Sequence, residues 1–143
     1  MRKIENIVVH CTGTTQHSNV EAIKTYWLKF LGWKSPGYHY LIDIHGNIHH
    51  LHPESLVANG AYGFNHNSVH VGYIGGTSKK GIFMDTRTTE QKQAMFMLLY
   101  CIKTRYPTAN ILGHRNLKGH NKACPCFDAQ KEYKNLNAYV RTP

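Results

Sequence analysis

The sequence predicts an α/β protein, α+β in some schemes, with a mixed central β-sheet flanked by helices in a single domain spanning residues 1–143. Three observations lead there. Short apolar runs of strand length are interleaved with longer segments of helical period, the pattern of a sheet covered by helices. The 143 residues match one ordinary domain and suffice to bury a core without disulfide staples. No repeat, low-complexity tract or Pro/Gly/Ser-rich linker divides the chain.

The opening "NIVVHCTG" reads as a buried strand running into a turn at Thr12 and Gly13, which puts His10 at the strand's carboxyl end. Ser18 followed three residues later by Glu21 has the spacing of a capping box. Ile23, Trp27 and Phe30 then recur at helical spacing until Gly32 ends the helix. "GYHYLIDIHGNIHHLHP" reads as a hairpin, two β-branched and aromatic runs around the turn His45-Gly46-Asn47, with Pro53 closing the second. "SVHVGYIGG" is a further strand closed by two glycines. From Thr88 a second capping box, Thr88 with Gln91, opens the longest helix. It aligns Met95, Leu98, Leu99 and Ile102 on one face and cannot continue through Pro107. "ANILGHRN" is a last short strand ending at His114, and "FDAQKEYKNL" is a terminal helix capped by Asp128.

The formal charge of +9 implies an anionic partner without choosing among nucleic acid, an acidic membrane face and a carboxylate-rich polymer. The basic residues form no run and no nucleic-acid reader motif is present, so no nucleic-acid partner is expected. No apolar run approaches the roughly 20 residues needed to span a bilayer, so no membrane insertion is expected either. "MRKIENIVVH" has two positive charges, but His10 cuts its apolar stretch far short of the roughly 7–15 residues of a signal peptide. Synthesis in the cytoplasm follows as the expectation. In that reducing compartment Cys11, Cys101, Cys124 and Cys126 are read as metal ligands or buried thiols before disulfides.

Eleven histidines are many for this length, and a metal or proton-transfer site would account for some of them. His10 and His114 each stand directly after an apolar strand, where open sheets place their ligands. If those strands are parallel neighbours, both imidazoles enter one crevice, and a short loop returns Cys124 to it. Two imidazoles and a thiolate make three ligands of a tetrahedral zinc with a fourth position open, as catalytic zinc sites have. A lone histidine at a strand end is more often a hydrogen-bonded turn residue, so the set of three carries the reading. In "HHLH", strand alternation puts His50 and His52 on one face and His49 on the other, which reads as a half-exposed strand. Cys126, beside Phe127, reads as a small buried hydrophobe.

"VVHCTGT", "GYHYLI", "GFNHNSVHVGYIGG", "GHRN" and "KACPCFD", in this order, resemble the zinc-dependent N-acetylmuramoyl-L-alanine amidases of the phage-lysozyme type (amidase family 2), which are related to peptidoglycan-recognition proteins. The likeness runs from about residue 4 to residue 136. It implies a mixed sheet flanked by helices, and zinc-dependent hydrolysis of the amide joining N-acetylmuramic acid to L-alanine in peptidoglycan. It further implies Zn2+ on His10, His114 and Cys124, with Tyr38 and Lys122 as the two catalytic side chains. An amide carbonyl is a poor electrophile and water a poor nucleophile. Zinc polarises the first and lowers the pKa of bound water to about 7. Lys122, two residues from Cys124, is tethered closely enough to face the oxygen that gains charge, and Tyr38 has a hydroxyl for the intermediate.

Two departures stand out. Many such relatives carry a histidine just before the alanine that precedes "GxN"; here "NGAYGFN" has Gly60 there, which reads as a missing substrate contact. His120, in the loop between His114 and Cys124, competes with His114 as a ligand. The expected protein is a monomeric peptidoglycan hydrolase, a phage or prophage endolysin reaching the wall by cell permeabilisation or dedicated secretion. The alternative is a peptidoglycan-binding module without catalysis, which the presence of a third ligand, Cys124, disfavours.

Overall fold

In the computed structural model, which describes residues 2–138, five strands form one mixed sheet. Position 1 and positions 139–143 of the expected domain lie outside the described residues. The strands are β1 (Asn6–Cys11), β2 (Tyr40–Ile42), β3 (Ile48–His50), β4 (Ser68–Tyr73) and β5 (Asn110–Gly113), in the order β3-β2-β4-β1-β5. β1 runs parallel to both β4 and β5, β2 is parallel to β4, and only β3 is antiparallel to its neighbour. The condition for a shared crevice is therefore met: β1 and β5 are parallel and adjacent, in register from Asn6↔Asn110 to Val9↔Gly113.

Side chains alternate between the two faces of such a sheet. Ile7, Val9 and Cys11 on β1 join Val69, Val71 and Tyr73 on β4 in the larger core. That core is closed by helix α2 (Thr89–Arg105), whose Met95, Leu98, Leu99 and Ile102 are all buried. Each such side chain stabilises the packed state by about 1.5–3 kcal/mol in burial alone. The expected capping box starts α2: the Gln91 N–H donates to Thr88 Oγ1 at 3.1 Å and the Thr88 N–H to Gln91 Oε1 at 3.0 Å. Val8, His10, His70, Gly72 and Leu112 take the opposite parity, and this second face carries the site.

Helix α1 (Val20–Thr25) and a π-helical turn over Tyr26–Phe30 cover the second face, burying Ile23 and Trp27 against Tyr38, Leu41 and Ile74. Two details depart from the sequence reading. The cap of α1 is Asn19, not Ser18: Asn19 Oδ1 accepts from the Ala22 N–H at 2.8 Å, while the Ser18 N–H is used on the Thr15 carbonyl. Phe30 is 80% exposed and not on the inward face, because the π-turn inserts a residue into the helical repeat and rotates it out. The terminal helix is capped by Asp128 as expected, but Tyr133 leaves helical geometry and divides it into α3 (Ala129–Glu132) and α4 (Lys134–Asn137). The hairpin forms with three-residue strands. His49 bonds Asp43 at 2.9 Å, His50 stacks on Tyr40, and His52 lies beyond β3, so the strand alternation does not extend to it. No helix among the described residues is long and apolar enough to cross a membrane.

Candidate active site

Three features of the backbone bring the expected site residues together. β1 ends one residue after His10, and β5 passes directly into a 3-10 turn that begins at His114. The two imidazoles therefore meet edge to face, their centroids 4.8 Å apart. The "KACPCFD" loop is folded back onto them by three hydrogen bonds. The Arg115 N–H donates to the Cys124 carbonyl at 2.9 Å, the Tyr73 hydroxyl to the Pro125 carbonyl at 2.7 Å, and the Cys11 N–H to Cys124 Sγ at 3.2 Å. Tyr38, just ahead of β2, lies over the same end of the sheet, stacked on His10 at 4.7 Å with Trp27 edge-on at 5.0 Å. Its hydroxyl donates to the Cys11 carbonyl at 2.9 Å.

The donor atoms of His10, His114 and Cys124 all lie within 4.8 Å of one another, and among the described residues these three form the one cluster of that kind. The spacing suits a tetrahedral ion. A nitrogen at about 2.05 Å and a sulfur at about 2.3 Å from zinc, at the tetrahedral angle, stand about 3.6 Å apart. His10 Nδ1 and Cys124 Sγ are 3.7 Å apart. Electrostatics favour the ligating form of both imidazoles. Burial, then the neighbouring histidines, holds His10 well below the usual range, and burial together with the charge of Lys122 depresses His114 to about 4. Both are therefore neutral near pH 7. Burial drives Tyr38 in the other direction, keeping its phenol protonated.

All five residues line one open cavity of about 510 Å3, whose wall also includes Tyr26, Trp27, Trp33 and Phe83. Lys122 is exposed at its rim, free of the core. His120 stands behind His114 and outside the donor cluster. Its Nε2–H donates to the Tyr62 carbonyl at 2.8 Å, which leaves Nδ1 to accept from His114 Nε2–H at 2.9 Å. Cys126 is half-buried and packs with Phe127 on the larger core, its Sγ 3.8 Å from that of Cys11. Burial pushes its thiol up to about 12.

The N-acetylmuramoyl-L-alanine amidase model (Amidase_2) matches residues 1–127. The chain belongs to this family. Among curated relatives, the amidase is 35% identical over 126 residues to the endolysin of Escherichia phage T7, an alignment covering 87% of this chain and 82% of that one. Among solved structures it shares its fold with the Ph2119 endolysin of a Thermus scotoductus MAT2119 bacteriophage. There the TM-score is 0.79 at 23% identity, over 96% of this chain and 86% of the other. Bumblebee PGRP-SA has the same fold, with a TM-score of 0.77 at 23% identity, over 100% and 87% of the two chains.

One residue of the amidase that sequence reasoning passed over is His70. It is fully buried on the site face of β4, its Nδ1 2.8 Å from His10 Nε2. Gly60 now has a packing explanation. A Cβ at that position would stand 2.5 Å from His70 Cγ, so the glycine makes room for the ring. The signal was available only in part. Alternation along "SVHVGY" aims His70 at the same face as Gly72, but its meeting with Gly60 depends on a loop whose path the sequence does not reveal.

Proposed function

We propose that the chain is a peptidoglycan hydrolase that cleaves the amide between N-acetylmuramic acid and L-alanine. In this reading Zn2+ is held by His10 Nδ1, His114 Nδ1 and Cys124 Sγ, and Tyr38 and Lys122 are the catalytic side chains. The observation that carries it is the convergence of these five residues on one cavity, with a donor spacing suited to a tetrahedral ion. Zinc there supplies a Lewis acid for the scissile carbonyl and brings the pKa of water to about 7.

The protein's own groups do the rest. Lys122, at the rim and tethered beside Cys124, places a cation where the carbonyl oxygen gains negative charge, an interaction typically worth roughly 2.7–4 kcal/mol. Tyr38 stays protonated, so it is not the base; its one O–H, which donates to the Cys11 carbonyl in the metal-free chain, turns from that acceptor to donate to the reacting oxygen. The aromatic wall gives the sugar and stem peptide an apolar surface, and the opening leaves a polymer free to lie across it. The charge of +9 raises the encounter rate with a wall made anionic by stem-peptide carboxylates. One chain supplies every site residue, which suits action as a monomer. The family and its endolysin relatives support a role in phage or prophage release, with access to the wall after permeabilisation or dedicated secretion.

Mass spectrometry of purified peptidoglycan incubated with zinc-loaded protein, beside a chelator-treated control, tests the reading. Stem peptides with a free L-alanine amino terminus, in the loaded sample alone, are the expected result. An intact wall with folded, zinc-loaded protein bound to it would instead establish a binding module without catalysis.

A further inference from the structure

We propose that His70 is the positioning residue of the site, holding His10 in the one tautomer that turns an unprotonated Nδ1 toward Cys124 and the metal. The proposal rests on the metal reading above, but the arrangement it describes exists in the metal-free chain. The protons can be counted along a line of three side chains, half-buried Asn65 and buried His70 and His10. The line starts at Asn65, in the loop that precedes β4. Asn65 Oδ1 accepts from the Ala61 N–H at 2.8 Å, a bond an amide nitrogen in that place would not accept, which fixes this atom as the oxygen. The same oxygen lies 2.9 Å from His70 Nε2, so His70 must carry its proton there. His70 is fully buried among the Asn65 amide and the His10 and His39 rings, with nothing there to balance an imidazolium charge, so its Nδ1 is a bare acceptor. That acceptor faces His10 Nε2 at 2.8 Å, so His10 must carry its proton on Nε2. His10 Nδ1 is then the free lone pair, and it is the atom 3.7 Å from Cys124 Sγ.

The surroundings hold His70 in this orientation. Gly60 presses on one side of the ring, with no space for even a Cβ. The His39 ring stacks nearly parallel to it, 8° from coplanar at 5.9 Å. His39 is itself oriented by a similar count: its Nδ1 accepts from the His70 backbone N–H at 3.0 Å, and its Nε2–H donates to the Leu56 carbonyl at 2.8 Å. A ring flip of His70 would put C–H groups where its two nitrogens stand, losing both hydrogen bonds, and the other neutral tautomer would set a bare Nε2 against the Asn65 oxygen. A ligand whose far nitrogen is so bound keeps both its tautomer and its aim, and loss of such a partner typically weakens metal affinity by about 10–100-fold.

The first measurement is long-range 1H–15N NMR of the imidazoles in chelator-treated wild-type protein. The expected spectrum has His10 protonated on Nε2 and bare on Nδ1; a proton on Nδ1 would overturn the proposal with no variant needed. The second is zinc affinity by chelator competition. His70→Phe keeps the volume and removes the acceptor, and should weaken zinc about 10–100-fold. His70→Asn places an amide oxygen near the former Nδ1 and should recover most of that loss. Unchanged affinity and an unchanged His10 tautomer in folded His70→Phe would refute the positioning role. Failure of the wild type to bind zinc, with the His10 proton on Nε2 as expected, would overturn the metal reading while upholding the relay.

Discussion

Gly72→Ala tests the placement of Tyr38 without touching a polar group. Gly72 lies opposite His10 in the β1–β4 register, and Tyr38 rests on it. A Cβ at position 72 would stand 2.5 Å from Tyr38 Cδ2, against the roughly 3.5–4 Å of an ordinary carbon contact, so the ring must retreat by about 1 Å. It has little freedom to do so between His10 stacked at 4.7 Å and Trp27 edge-on at 5.0 Å. A retreat of about 1 Å takes the bond from the Tyr38 hydroxyl to Cys11 O, 2.9 Å in the parent, beyond hydrogen-bonding range. Overpacking of this kind costs about 1–3 kcal/mol, and the alanine returns about 0.4–1 kcal/mol by restricting the unfolded chain. The net expectation is a destabilisation of about 1–2 kcal/mol. Turnover should fall about 100-fold, the usual consequence of a 1 Å misplacement. The assays are denaturant unfolding and release of stem peptides, each repeated in a Tyr38→Ala background. With the ring removed, Gly72→Ala should become neutral or mildly stabilising. An equal stability cost in both backgrounds would disprove the steric argument, and parental turnover in the single variant would remove Tyr38 from the reaction.

Cys124→Ala leaves two imidazoles and should abolish zinc binding and hydrolysis together; metal analysis showing a stoichiometric ion would sink the ligand assignment. Lys122→Ala should keep zinc and the melting temperature while slowing turnover by about 100-fold or more, and unchanged kinetics would make it a surface lysine. For the metal-free protein, His39 is depressed by burial to about 4 from its ordinary 6.5, and His114 shifts the same way to about 4. The unfolded chain therefore binds more protons between those values. Stability from these groups is complete above about pH 6.5 and drains away as pH falls toward 4, with a limiting slope of about 1.4 kcal/mol per pH unit for each fully buried histidine. The partly exposed His114 contributes less. Equilibrium unfolding of chelator-treated protein across that window should show it, and a flat profile would contradict the buried neutral histidines.

What the sequence disclosed and what it hid divide by range. β1, β5 and the start of α2 were legible because each is announced locally, by an apolar run or by a cap whose partner is three residues away. The positions of His10 and His114 at strand ends followed from the same local signals, and the parallel pairing of β1 with β5 made them neighbours. Asn19 taking the cap from Ser18 is a shift of one residue between two competent side chains, which pattern alone does not resolve. The π-turn at Tyr26–Phe30 had no compositional mark, so Phe30 was assigned to the wrong face. Cys124 and Lys122 were legible mainly through the motif they share with the amidases, since nothing in residues 115–123 dictates the path of the returning loop.

Gly60 was the most misleading position, because an absent side chain reads as an absent contact. In the folded chain a gap is where a neighbour's ring goes. A Cβ at Gly60 would strike His70, one at Gly72 would strike Tyr38, and one at Gly37 would fall 2.8 Å from Trp27 Cε2. These three rings are consecutive supports of the site: Trp27 edges Tyr38, Tyr38 stacks on His10, and His70 Nδ1 stands 2.8 Å from His10 Nε2. Each glycine thus leaves the space one ring occupies, Gly72 from the sheet and Gly37 and Gly60 from loops outside it, and so sets positions that the polar residues themselves do not control. A methyl at any of the three should therefore cost activity out of proportion to its cost in stability, since about 1 Å is a small strain for a packed ring and a large error for a reacting group.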